Sequence, residues 1–116
     1  MIHVKFEFTE DRMTLRVKGH AGAAPYGLDT ICSAASMLSA TLAQTMKVDH
    51  VRGRLKYAPR LKMDPGNNII SCRPKEDHID EVLAEWLTVR NGFIVLAYNN
   101  PQFVTVEDEG ITPEGD

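Results

Sequence analysis

Cysteine is scarce in this chain of 116 residues: Cys32 and Cys72 are its only two. They sit far apart and cannot build the disulfide framework of a small secreted domain. The opening stretch MIHVKFEFTEDR lacks a signal-peptide pattern, so the expected compartment is a reducing cytoplasm. No apolar run exceeds FIVLAY at 93–98, far short of the ~20 residues that cross a bilayer, and no membrane partner is expected. The four histidines (His3, His20, His50, His78) are scattered, and neither cysteine has a neighbour at ligand spacing, so no metal is expected. Glycine-rich phosphate loops are missing as well, which leaves nucleotide chemistry without support and implies no cofactor. There are no repeats and no internal linker. Collagen, coiled coil, secreted scaffold and membrane protein are thereby excluded, leaving a single domain able to bury one core.

Charge is unevenly spread. The net charge is −3, yet residues 107–116, EDEGITPEGD, hold five of the sixteen acids and no base. That segment reads as an acidic, disordered tail after a single domain over 1–106. Lys47, Arg52, Arg54, Lys56, Arg60 and Lys62 are opposed by one acid, Asp49. Their spacing fits the wet face of a strand, and also a surface that meets a negatively charged partner. With Tyr57 the lone aromatic among them, direct nucleic-acid binding is not predicted.

Alternation of apolar and polar residues predicts strands at Ile2–Phe8 and Met13–Lys18, joined by a polar turn. Residues 21–28, AGAAPYGL, read as a flexible loop. Ile31, Ala35, Leu38, Leu42 and Met46 then fall at helical spacing, predicting a helix over about 30–47 capped by Asp29 or Thr30. Val51, Gly53, Leu55 and Tyr57 suggest a third strand, 59–68 a loop around DPGNN, and 68–73 a fourth strand. A second helix spans 77 to about 97, weakened near its end by Gly92, before a short strand at 103–106. The order β-β-α-β-β-α-β implies an α+β sandwich, a mixed or antiparallel sheet packed on two helices.

Two residues stand out chemically. Cys32 falls near the start of the first predicted helix, where free backbone N–H groups and the dipole favour a thiolate and could hold an oxyanion. Cys72 lies in an alternating strand, the setting of a small buried hydrophobe. His20 closes the second strand, and the intervening loop is long enough to return it to Cys32. A Cys–His pair is the minimum for acyl transfer, although spacing alone fits structural roles too. Asp29 could cap the helix or orient His20. Ser36 follows Cys32 by one turn on the same face, as a supporting group or as a small residue at a tight helix contact.

The segment GHAGAAPYGLDTIC, residues 19–32, resembles the ribosomal-processing cysteine proteases of the Prp family. Gly19-His20-Ala21, Tyr26-Gly27, Asp29, Cys32 and Ser36 match its motif. The likeness extends in length and element order over about 1–106. It implies a Cys–His endopeptidase that acts as a homodimer and removes an N-terminal extension from a large-subunit ribosomal protein, after an aromatic-rich stretch. Cys32 would be the nucleophile, His20 the general base and acid, and Asp29 the candidate orienter. Gly19, Ala21, Tyr26, Gly27 and Ser36 would form the substrate side of the site, with 21–28 moving as substrate enters. Related phage proteases imply an alternative substrate in a capsid or scaffold protein. A non-catalytic module that binds a ribosomal or phage partner through the same surface is the reading from a different class.

Overall fold

Strict alternation in the first strand leaves one side chain in two facing the core. In β1 (Ile2–Phe8), Ile2, Val4, Phe6 and Phe8 are buried while the residues between them are not. β2 (Met13–Lys18) returns antiparallel, with Phe8 opposite Met13. Thr9 closes the turn between them: its N–H donates to the Arg12 carbonyl and its hydroxyl accepts from the Arg12 N–H. This computed structural model describes residues 1–20 and 28–110, with the backbone alone at Leu28 and Asp29.

α1 (Leu28–Val51) buries Ile31, Ala35, Leu42 and Met46 as the helical spacing predicts, with Leu38 half-buried. It runs longer than the sequence suggested at both ends. Its C-terminal end is a Schellman stop, in which the Arg54 N–H reaches the Asp49 carbonyl (2.9 Å) and the Gly53 N–H reaches that of His50 (3.1 Å). Gly53 supplies the left-handed residue that this stop requires, at φ 74°. The strand expected at 51–57 is therefore not formed. Val51 ends the helix, and of the rest only Leu55 makes a bridge, to Pro74.

The third strand lies instead where a loop was expected. β3 (Arg60–Asp64) pairs with β4 (Asn67–Cys72) across a Pro65-Gly66 turn. β3 is a short, largely exposed edge, and its adjoining Pro59 and turn residues mask the strand pattern. A single 3₁₀ turn (Glu76–His78) leads into α2 (Ile79–Asn99). Gly92 does not end α2: a Cβ there would come 2.5 Å from Leu38 Cδ2, so the glycine lets the two helices approach. Val82, Trp86 and Phe93 of α2 are fully buried, whereas Ile94 is exposed.

β5 (Val104–Gly110) runs parallel to β1, giving a mixed sheet of order β3-β4-β2-β1-β5. The first part of the expected tail is thus sheet. Asp108 points inward and takes the Arg90 guanidinium of α2 (Nε to Oδ1 2.8 Å), while Glu109 pairs with Lys5 on the opposite face (2.8 Å). These acids are ordered because each meets a cation on a neighbouring element. Residues 111–116 lie outside the described part.

Both helices cover one face of the sheet, making a two-layer α+β sandwich. Phe6, Phe8, Phe93 and Trp86 pack at its centre, with ring centroids 6.0–6.4 Å apart. The Trp86 indole N–H donates to Met46 Sδ (3.4 Å) and so joins the helices. The other sheet face carries Lys5, Glu7, Arg16, Lys62 and Glu109 and is open to solvent. The basic residues of 47–62 do not share one strand face: they are divided among α1, the connector and β3.

Candidate active site

Gly19 turns the chain out of β2. Its φ of 99° and the nearness of the Met1 carbonyl, 2.3 Å from any added Cβ, leave no room for a side chain. Its N–H donates to the Gly66 carbonyl (2.9 Å), and the next residue's carbonyl, that of His20, accepts from the Met1 ammonium (2.6 Å). The end of β2 is therefore tied to both the β3–β4 turn and the start of β1. His20 projects from this tied backbone and is itself exposed.

Cys32 is the fifth residue of α1, two residues further inside the helix than the sequence suggested. It is half-buried and leans on the core. His20 and Cys32 line one small cleft of about 50 Å³ together with Gly19, Ser36, Ala35, Gly66 and Asn68. Ile2 and Val17 form its apolar floor. Cys32 and Ser36 also border a wider groove of about 550 Å³ along the exposed side of α1, with Ser33, Met37 and Ala40. The cleft suits a reacting group, whereas the groove has room for peptide side chains.

Of the residues singled out in the sequence, Gly19, His20, Cys32 and Ser36 come together here. Asp29 lies in the first turn of α1, inside the helix rather than ahead of it as a cap, and its side chain is outside the described residues. Ala21, Tyr26 and Gly27 are outside them too. The remaining histidines are elsewhere: His3 bonds Thr105 on the open sheet face, His78 bonds Glu81, and His50 is exposed at the far end of α1. Among the described residues no group of three or more His, Cys, Asp or Glu is placed to hold a metal ion. None of the described helices is long and apolar enough to cross a membrane.

Sequence reasoning missed Gly66 and Asn68. The DPGNN stretch was legible as a turn, but nothing local tells that this turn reaches the end of β2. Two antiparallel ladders, β3–β4 and β4–β2, bring it there.

The second cysteine is a different object. Cys72 is buried on β4, and burial pushes its thiol up to about 12. It lies in the neighbourhood of Asp49 and Glu85, at the other end of α1. There the buried Asp49 takes Arg54 (2.9 Å), and burial together with Asp49 pushes Glu85 up to about 8.

The family profile described as cysteine protease Prp matches residues 1–105. Among solved structures, SMU.848 from Streptococcus mutans is similar at 24% identity, with 94% of each chain covered and a TM-score of 0.68. The essential ribosomal processing protease Prp from S. aureus is similar in two structures, both at 15% identity and both covering 94% of this chain and 100% of that one. The complex with a covalently linked product peptide has a TM-score of 0.62, and the complex with a substrate peptide 0.61. A search of curated proteins found no match.

Proposed function

This chain belongs to the cysteine protease Prp family, and from that premise we propose that it is a cytoplasmic endopeptidase in which Cys32 and His20 form the reacting pair. The observation that carries the pairing is that both side chains line one cleft. In the proposed cycle the His20 imidazole takes the Sγ proton and the thiolate adds to the scissile carbonyl. The tetrahedral intermediate collapses as imidazolium gives that proton to the leaving amine, leaving a thioester on Cys32. Water, deprotonated by His20, then releases the carboxylic acid and restores the thiol. Asp29 enters as the candidate that holds His20 in its working tautomer, on the strength of the family motif.

The substrate we propose is the N-terminal extension of a large-subunit ribosomal protein, cut after an aromatic-rich stretch by a homodimer. The family and the ribosomal processing protease of S. aureus support processing of a ribosomal protein, and the peptide complexes of that protease support a peptide as ligand; the cut site and the homodimer rest on the family resemblance. The groove along Ser33, Met37 and Ala40 offers apolar surface beside the nucleophile for such a stretch.

The test is cleavage of peptides spanning that extension, with wild type and Cys32→Ala run side by side and products identified by mass. A cut made by wild type alone is expected. No cut, with Cys32 still labelled rapidly by iodoacetamide, would move the substrate to phage structural proteins. Cleavage by Cys32→Ala at the wild-type rate would overturn the mechanism, and an inert Cys32 without cleavage would leave a binding module.

A further inference from the structure

We propose that Gly66, at the tip of the β3–β4 hairpin, is a positioning residue for His20: its bare Cα is the floor on which the imidazole rests. The inference builds on the reading of His20 as general base. A Cβ on Gly66 would lie 2.5 Å from His20 Nε2, 2.7 Å from Cε1 and 3.3 Å from Cδ2. The ring edge carrying Nε2 and Cε1 is therefore the edge in contact with this turn. The contact is also held from behind, because the Gly66 carbonyl accepts the N–H of Gly19, the residue next to His20. Backbone and ring are thus held by the same two-residue turn.

Hairpin formation alone does not call for this glycine. Pro65 has a ring-locked φ near −65°, which excludes the turns most favoured in hairpins, since both need a positive φ at that position. What remains is a turn with positive φ at its second residue, observed as 71° at Gly66. Asparagine is accepted at such a position nearly as glycine is. Asparagine cannot, however, leave the space under His20. Space, more than backbone freedom, is the property that glycine alone supplies here.

The collision also has a definite outcome. His20 is an exposed side chain with two rotatable bonds, whereas Gly66 sits in a turn closed by the Asp64–Asn67 pair and bonded through its carbonyl to Gly19, so the ring yields and the turn stays. Gly66→Asn is expected to fold with a thermal midpoint close to wild type, and Gly66→Ala somewhat lower because alanine resists positive φ. Both are expected to lose about 100-fold in kcat, the scale of a misplaced catalytic group. KM for the peptide should change little, and the acid limb of the kcat/KM–pH profile should move. Independently of turnover, the His20 Cε1–H resonance should shift in both variants.

Gly66→Asn with wild-type kcat and an unmoved His20 resonance would show that the glycine serves only the turn, and would overturn the proposal. His20→Ala separates the two levels. If it cleaves as wild type does, the assignment of His20 as base fails whatever Gly66 does. If it is inactive while Gly66→Asn is fully active, only the role of Gly66 fails.

Discussion

The two ends of α1 both gather ionisable side chains against the sheet, about 25 Å apart along the helix, and they use them in opposite ways. At the N-terminal end, Cys32 and Ser36 face an open cleft and meet His20 and Gly66 from other elements. At the C-terminal end, Asp49 is fully buried and paired with Arg54, Glu85 is pushed up to about 8, and nearby Cys72 is pushed up to about 12. Strongly shifted groups commonly flag active sites. Here those shifts record burial in the joint between helices and sheet. Exposure is what distinguishes the end proposed to react: Cys32 is half-buried, whereas Cys72 is only 3% exposed.

The sharpest way to break this contrast is to remove each thiol in turn. Cys32→Ala should cost about 10³-fold or more in cleavage, as loss of a covalent nucleophile does, while Cys72→Ala should keep the wild-type kcat. Equal losses, measured on the same peptide, would mean that the two ends are not functionally separate.

A second contrast needs no substrate. At pH 7.5 under native conditions, iodoacetamide should label Cys32 at least about 100-fold faster than Cys72, because the thiolate is the nucleophile and burial withholds both proton loss and access at Cys72. Mass spectrometry of the two cysteine peptides over time reads this directly. Unequal native rates that become equal once the chain is unfolded would confirm burial as the cause; comparable rates in the native state would contradict it.

The smallest effect lies at the carboxylate end. Glu85 has a folded value of about 8 against an ordinary 4.5, so between those pH values the folded chain keeps a proton that the unfolded chain has released. Stability therefore falls as pH rises through that window and levels off above it. Glu85→Gln removes the dependence. Its thermal midpoint relative to wild type should be higher at pH 8 than at pH 5, by on the order of 5 °C. An identical difference at both pH values would show that Glu85 does not titrate as its surroundings imply.

Much of this contrast was legible before any coordinates. Cys72 was readable as a buried hydrophobe from the strand around it, and His20 and Cys32 as candidates from a strand end, a loop and a helix start. The first hairpin and both helices followed from periodicity, because each buries one regular face. The third strand did not follow. In 51–57, bases alternate with apolar residues for an unrelated reason: Gly53 stops α1, Arg54 reaches back to the buried Asp49, Leu55 tucks inward against Pro74, and Arg52 and Lys56 are left to solvent. The true edge strand at 60–64 buries almost nothing and so leaves little pattern to read. The acids after Val106 resembled a solvated tail because their partners, Lys5 and Arg90, are distant in sequence. Gly92 reads as a weak point in the sequence because its partner, Leu38, whose side chain fills the space a Cβ would need, lies on the other helix.

By itself the sequence determined the α+β class and the different settings of the two cysteines, since both are written in local spacing that the physics of strands and helices makes readable, while the pairing of His20 with Cys32 came from the family motif. Only the tertiary structure decided that a turn forty-six residues beyond His20 lies beneath its ring. Hydrogen-bond ladders set strand neighbours by register and not by chain order, and no local pattern records which loop will stand beside which.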